Sequence, residues 1–360
     1  MASVKSARAA LKGAVLSIIV VELVISLAAG QAAAQSFQFA AIGDTGYSKK
    51  SEREFSGMIT AMNREPLAFV VHVGDFEAGP RLYMLSPTTI TEPCTDEHYK
   101  SVLAQLQMSA HPFVLTPGDN DWTDCHILKT REVDPLERLA KVRELFYPRG
   151  VSLGKRTMPV ESQSSDPKFS KFRENLAWTV NNVSFMSMHI VGSNNNRGRT
   201  PEMDAEADER MVANISWLRK AFADAKDRNS AGLVLITQAN PGFETKWTPS
   251  RIGRHFRLFP GVDPPKKLPP SGFDDILDAV AAEVASYDRP TLFIHGDTHI
   301  FHVSKPLVNQ KNGRFFDHFT RLEVFGNPDF HWVRVIVDPK DPGLFTIRPE
   351  IVPENRGDVP

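Results

Sequence analysis

The chain has 360 residues, 41% of them hydrophobic and 24% charged, with a formal net charge of −1. This is ordinary globular composition, with enough apolar content for a sizeable core. The near-neutral balance gives no bulk charge to draw the chain onto nucleic acid or an anionic membrane, and neither is expected as a partner.

The first residues read apart from the fold. Lys5, Arg8 and Lys12 precede a mostly apolar run from Gly13 to Ala29, and Ala32-Ala33-Ala34 then supplies small residues for a peptidase. The pattern is that of a secretory signal, 1–34, cut near Ala34–Gln35. It leaves 35–360 as a single exported domain, periplasmic or secreted. An uncleaved signal anchor is the alternative. The run is short for a spanning helix and carries Glu22, so no stable membrane insertion is expected once it is cleaved. Cys94 and Cys125 are the only cysteines. An even count in an exported chain suggests a disulfide, here between two polar loops.

In chain order, Phe37 to Ile42 is an apolar run closed by Gly-Asp. Lys49 to Glu65 carries Phe55, Met58, Ile59 and Met62 at helical spacing. Leu67 to Val73 is a second apolar run closed by Gly-Asp, Glu97 to Met108 a helix, and Pro112 to Thr116 a short strand before Pro-Gly-Asp. Pro135 to Phe146 is a helix, and Arg149 to Lys171, rich in Ser, Pro and charge, reads as an exposed excursion. Trp178 to Val191 reads as two strands around a turn at Asn181-Asn182. Glu202 to Asp227 is a long helix and Leu233 to Thr237 a buried strand. Pro241 to Pro270 reads as a long loop that covers a site. Phe273 to Tyr287 is helical, and Thr291 to Ile294 is a strand before HGDTH. Arg321–Phe325 and Trp332–Asp338 are expected to pair with each other. Continuous apolar runs alternating with helices imply strands buried on both faces, and therefore a layered α/β core.

Four acidic residues stand at telling places. Asp44, Asp75, Asp119 and Asp297 each follow a glycine that closes an apolar strand. In open α/β sheets, ligands bind beyond the carboxyl ends of the strands. Four carboxylates gathered there repel one another unless a multivalent cation intervenes, and an oxygen-rich donor set suits hard metals. One Gly-Asp alone is an ordinary turn; four at successive strand ends, one followed by His299, point to a metal site.

The order GD … GD … PGDND … GDTH resembles the calcineurin-like metallophosphoesterases from Ala40 to about Val303. The resemblance implies a two-sheet β-sandwich flanked by helices and a centre of two divalent ions (Mn, Mg, Fe or Zn). It also implies hydrolysis of a small phosphomonoester or phosphodiester by metal-activated water. It places Asp44 as the first aspartate, Asp75 as the carboxylate shared by both ions, and Asp119 where the family has asparagine. Asn120 falls where the family has its phosphate-facing histidine, with Asp121 as the partner carboxylate. Asp297 replaces a histidine, and His299 keeps the second one of the last motif. Gly46 stands where the first motif has histidine, and Gln238, or with a shift Asn240, where a lone histidine is expected. Two alternatives stay open: an altered working hydrolase favouring manganese or magnesium, or a non-catalytic, metal-stabilised binding protein on the same scaffold.

Since Asn120 cannot donate a proton as histidine does, His72, His111, His126, His189 and His295 are the candidates for leaving-group protonation. His189, just before VGSNNN, leads them; His72 and His295 lie in or beside buried strands and read as core histidines. Asn194-Asn195-Asn196 is a polar loop or an amide contact to substrate. Trp122 lines the pocket or packs under it. Arg251, Arg254, His255 and Arg257 form a basic run read as solvated surface. Serine-hydrolase and P-loop chemistries are excluded, because neither G-x-S-x-G nor G-x-x-x-x-G-K-[ST] is present.

Overall fold

The computed structural model describes residues 35–128, 132–243, 271–309 and 311–355. The signal segment, most of the long loop and its basic run lie outside them. Five strands form one sheet, in the order β12-β11-β1-β2-β3. They are β1 (Phe37–Ile42), β2 (Val70–His72), β3 (Phe113–Leu115), β11 (Trp332–Val337) and β12 (Phe345–Glu350). The first three run parallel, and β11 lies antiparallel between β1 and β12. The second sheet has seven strands in the order β4-β5-β6-β7-β8-β10-β9. They are β4 (Glu161–Ser162), β5 (Leu176–Val180), β6 (Val183–Ser187), β7 (Gly232–Ile236), β8 (Thr291–His295), β9 (His302–Ser304) and β10 (Phe319–Glu323). Here β6, β7, β8 and β10 are parallel. The expected α/β architecture, two sheets flanked by helices, is the observed one.

Period-two alternation explains how the second sheet is covered. Val234 and Ile236 of β7 turn into the core shared with the first sheet, while Leu233 and Leu235 pack with the helical layer. That layer contains α5 (Pro201–Asp227), contributing Met211, Leu218 and Phe222, and α6 (Asp274–Tyr287), contributing Ile276, Val280 and Val284. The first sheet is covered in turn by α1 (Lys49–Met62), whose Phe55, Met58, Ile59 and Met62 join the shared core. Ser48 starts that helix as a capping box: its hydroxyl accepts the Ser51 N–H at 3.1 Å, and Ser51 Oγ accepts the Ser48 N–H at 2.6 Å. The remaining helices are α2 (Pro80–Leu85), α3 (Asp96–Leu106) and α4 (Pro135–Phe146). Among the described residues, no helix is long and apolar enough to cross a membrane. Cys94 and Cys125 form a disulfide.

Two expectations are corrected. The strands at Arg321–Phe325 and Trp332–Asp338 do not pair. β10 lies against β8 and β9 in one sheet, and β11 against β1 and β12 in the other. An apolar run tells that a strand is buried but not which neighbour it takes. Arg149 to Lys171 is not an exposed excursion throughout. Leu153, Val160 and Phe169 are buried, and Leu153 exchanges backbone hydrogen bonds with Phe113 at the edge of β3. Isolated apolar residues in a polar stretch were enough to dock it.

Candidate metal centre

The carboxyl ends of the parallel strands of both sheets meet at one edge. Asp44 follows β1, Asp75 follows β2, Asp119 follows β3, Gln238 follows β7, and Asp297 and His299 follow β8. Asp44, Asp75, Asp297 and His299 have φ of +51°, +54°, +82° and +65°. Aspartate tolerates this left-handed region better than most residues, yet it costs conformational energy. Such strain gathers where a site requires particular side-chain directions.

Hydrogen bonds then tie the carboxylates together. The Asp297 N–H donates to both oxygens of Asp44 at 3.2 Å, joining the two sheets across the site. His299 Nε2 lies 3.6 Å from Asp44 Oδ1. Asp75 accepts from the Asn120 N–H at 3.0 Å, from Gln238 Nε2 at 3.1 Å and from the Tyr47 hydroxyl at 3.2 Å. Asp297 Oδ2 accepts from the Asn240 N–H at 3.0 Å. The Ser193 hydroxyl sits 2.8 Å from both Asp119 Oδ2 and Asp124 Oδ1. A Cβ added to Gly192 would stand 2.7 Å from Asp119 Oδ1 and 2.7 Å from Asp297 Oδ1. Only a glycine leaves that space to the two carboxylates.

The electrostatics of this gathering are unfavourable on their own. Burial, then the Asp297 charge, pushes the Asp44 carboxyl well above the usual carboxylate range. Burial, then the charge of Asp119, does the same to Asp75. Asp297 is raised to about 7 by burial and Asp119, and Asp119 to about 6 by burial and Asp124. Carboxylates in this state hold protons that a divalent cation can displace. The donor set of four carboxylates, an amide and an imidazole therefore fits hard divalent ions. Among the described residues, the set of three His, Cys, Asp or Glu ligand atoms all within 4.8 Å of one another is Glu77 with Cys94 and Cys125. Those two sulfurs are bonded to each other, so that cluster offers no thiolates.

All six residues read as ligands, Asp44, Asp75, Asp119, Gln238, Asp297 and His299, come to this edge. Of the three read as catalytic, Asn120 does too: its Nδ2 donates to the Tyr47 oxygen at 2.9 Å. Asp121 has a different role from the one expected. Among the described residues it partners no histidine; its oxygens accept the N–H groups of Gly118, Asp75 and Phe76 at 2.7, 3.0 and 2.9 Å, stitching two strand-end loops together. His189 is also corrected. It is wholly buried, its Nδ1 lies 2.8 Å from Glu174, and its ring stands against Trp122. Burial lowers its pKa to about 4, which keeps it neutral and away from proton transfer. His72 and His295 are core histidines, both lowered to about 3 by burial. Trp122 packs underneath.

Sequence reasoning missed Tyr47, Ser193 and Glu323. Tyr47 was legible only as the third residue after Asp44. Glu323 ends β10 and accepts from Thr298 and Ile300 of the GDTH loop. Ser193 begins a run, Ser193 to Asn196, in which every φ lies between +49° and +68°.

Two facing sheets with their parallel strands opening onto one edge define a layered α/β fold. Among solved structures, that of PhoD superposes with a TM-score of 0.51 at 16% identity, covering 87% of this chain and 68% of that one. At that identity the likeness concerns the fold. No family model matches the sequence, and no curated protein does.

Proposed function

We propose that this chain is an exported, metal-dependent phosphoester hydrolase whose mature part, 35–360, is a single domain. The observation that carries the reading is the convergence of Asp44, Asp75, Asp119 and Asp297 at one strand edge, the first three buried and Asp297 half-buried. The fold likeness to PhoD is consistent with it, and the disulfide suits an oxidising compartment.

Asp44, Asp75, Asp119, Asp297, Gln238 and His299 would hold two divalent ions. Bound ions of this kind supply activation of the attacking water and neutralisation of phosphoryl charge. The chain's own residues position the donors. The Asn120 N–H fixes one oxygen of Asp75 while Gln238 and Tyr47 fix the other. Burial and the charge of Asp75 raise the Tyr47 phenol well above its usual pKa, so it remains a hydrogen-bond donor. Ser193 and the Asn240 N–H orient Asp119 and Asp297.

The deciding experiment is release of nitrophenol from mono- and bis-nitrophenyl phosphate by the chelated mature protein, restored in turn with manganese, magnesium, iron and zinc. Turnover that returns with at least one metal is the expected result. Tight metal binding with no turnover under any of them supports the non-catalytic binding protein instead.

Proton release offers a second check. The raised pKa values of Asp119 and Asp297, about 6 and about 7, mean that manganese competes with protons below neutrality. Apparent affinity is expected to rise from pH 5.5 to pH 8. Calorimetry in buffers of differing ionisation enthalpy should register release of about one proton or more at pH 6. Affinity that is flat with pH would mean that other groups bind the metal.

A further inference from the structure

Beside the carboxylates lies a cavity of about 430 Å³, lined by Arg81, Asp124, His126, Ile127, Ser193 and Arg199. It shares a wall with the metal centre, because Ser193, which holds Asp119, also lines it. We propose that this cavity is the leaving-group subsite of the hydrolase. It takes the alcohol half of a phosphoester that bears a second anionic group, a phosphate or a carboxylate. The proposal rests on the hydrolase reading above.

The lining argues for such a ligand. Five of the six residues are polar, so an aromatic or aliphatic alcohol finds little surface to cover. The volume lies in the range of small-molecule sites. Two guanidinium groups, Arg81 and Arg199, line it with a single carboxylate, Asp124, which leaves an excess of positive charge. Arg199 is held ready. Its Nη1 donates to the carbonyl and hydroxyl oxygens of Thr123 at 2.7 and 2.6 Å, and its Nη2 to Asp124 at 3.0 Å. A guanidinium so braced loses little freedom when an anion arrives, and its fork matches phosphate and carboxylate alike. His126 Nδ1 is turned to the Thr123 carbonyl at 2.9 Å, which orients the exposed ring. Arg81, at the start of α2, is exposed and lines the cavity. Thr123 is bonded in turn to Asn196, so the turn that carries Ser193 also anchors this wall.

The test uses the manganese-loaded mature chain and three probes: glycerol 1-phosphate, 3-phosphoglycerate and fructose 1,6-bisphosphate. The second anion is a carboxylate in one probe and a phosphate in another, so the arms distinguish the two. Wild type is expected to favour at least one charged probe over glycerol 1-phosphate by tenfold or more in kcat/KM. Arg199→Gln and Arg81→Gln should each cut that preference by tenfold or more, chiefly through KM. A preference unchanged in both variants overturns the proposal. Because Arg199 also braces Thr123, Arg81→Gln carries the test if Arg199→Gln does not fold. If no probe is turned over, nitrophenyl phosphate turnover decides the hydrolase reading separately, and calorimetric binding of fructose 1,6-bisphosphate decides the subsite. Binding tenfold weaker in the variants supports it, and equal binding overturns it.

Discussion

Asp75→Asn is expected to cut metal-dependent turnover by at least about 10²–10³-fold while leaving the metal-free protein no less stable at pH 8. Asp75 is the carboxylate on which the site converges, accepting from Asn120, Gln238 and Tyr47. An amide keeps the bond from the Asn120 N–H but cannot serve as an anionic ligand. It also turns an N–H toward Gln238, whose own amide is oriented by the Gly192 N–H at 2.6 Å, and this mismatch takes back part of any gain.

The stability side follows from the sign of the pKa shift. Burial, then Asp119, raises the folded Asp75 carboxyl above its unfolded value. Between those two values the native state holds a proton that the unfolded chain has released. Raising the pH therefore favours unfolding, and the metal-free protein loses stability from the ordinary carboxylate range upward. The Asp75→Asn variant lacks that liability, because an amide does not titrate. Melting curves of chelated protein at pH 5.5 and pH 8 should show a smaller decline in the variant, by roughly 2–6 °C. Added manganese should raise the wild-type Tm and barely move that of the variant. A variant that falls apart at both pH values and regains no stability would assign Asp75 to architecture rather than metal binding.

The aspartates were legible because two physical rules coincide at them. A strand buried on both faces leaves a continuous apolar run, and a sharp turn after it calls for glycine. Asp44, Asp75, Asp119 and Asp297 carry both marks. Partners that act across the fold carry none. Glu323 reads as the end of any strand, and its place beside the GDTH loop depends on β10 pairing with β8. The pairing error at β10 and β11 has the same origin. His189 shows the limit of arguing from loop proximity. It stands three residues before Gly192, yet its ring turns inward to Glu174 and Trp122. The three asparagines at 194–196 did carry a usable mark, since asparagine is the side chain that best tolerates left-handed backbone, and the structure places all three there.

That left-handed run leads to the second large effect, at Arg210. Four successive non-glycine residues at positive φ cost on the order of a few kcal/mol, so something must hold them. Arg210 does so from within the core, where it is wholly buried. Its Nη1 donates to the His189 carbonyl at 2.9 Å and to Asn195 Oδ1, its Nη2 to the Asn195 carbonyl at 3.2 Å, and its Nε to Glu206 at 2.7 Å. Its guanidinium also lies over the Trp122 ring. Arg210→Met should cost about 3–5 kcal/mol, because it leaves Glu206 and two carbonyls without their cation. Arg210→Lys keeps the charge but not the fork, so the protein should fold with the turn slackened. Ser193 then no longer holds Asp119, and Gly192 no longer faces Asp119 and Asp297 at close range. Manganese affinity is expected to fall by roughly tenfold or more in Arg210→Lys. Equal affinity in a folded Arg210→Lys would show that the turn serves the core alone.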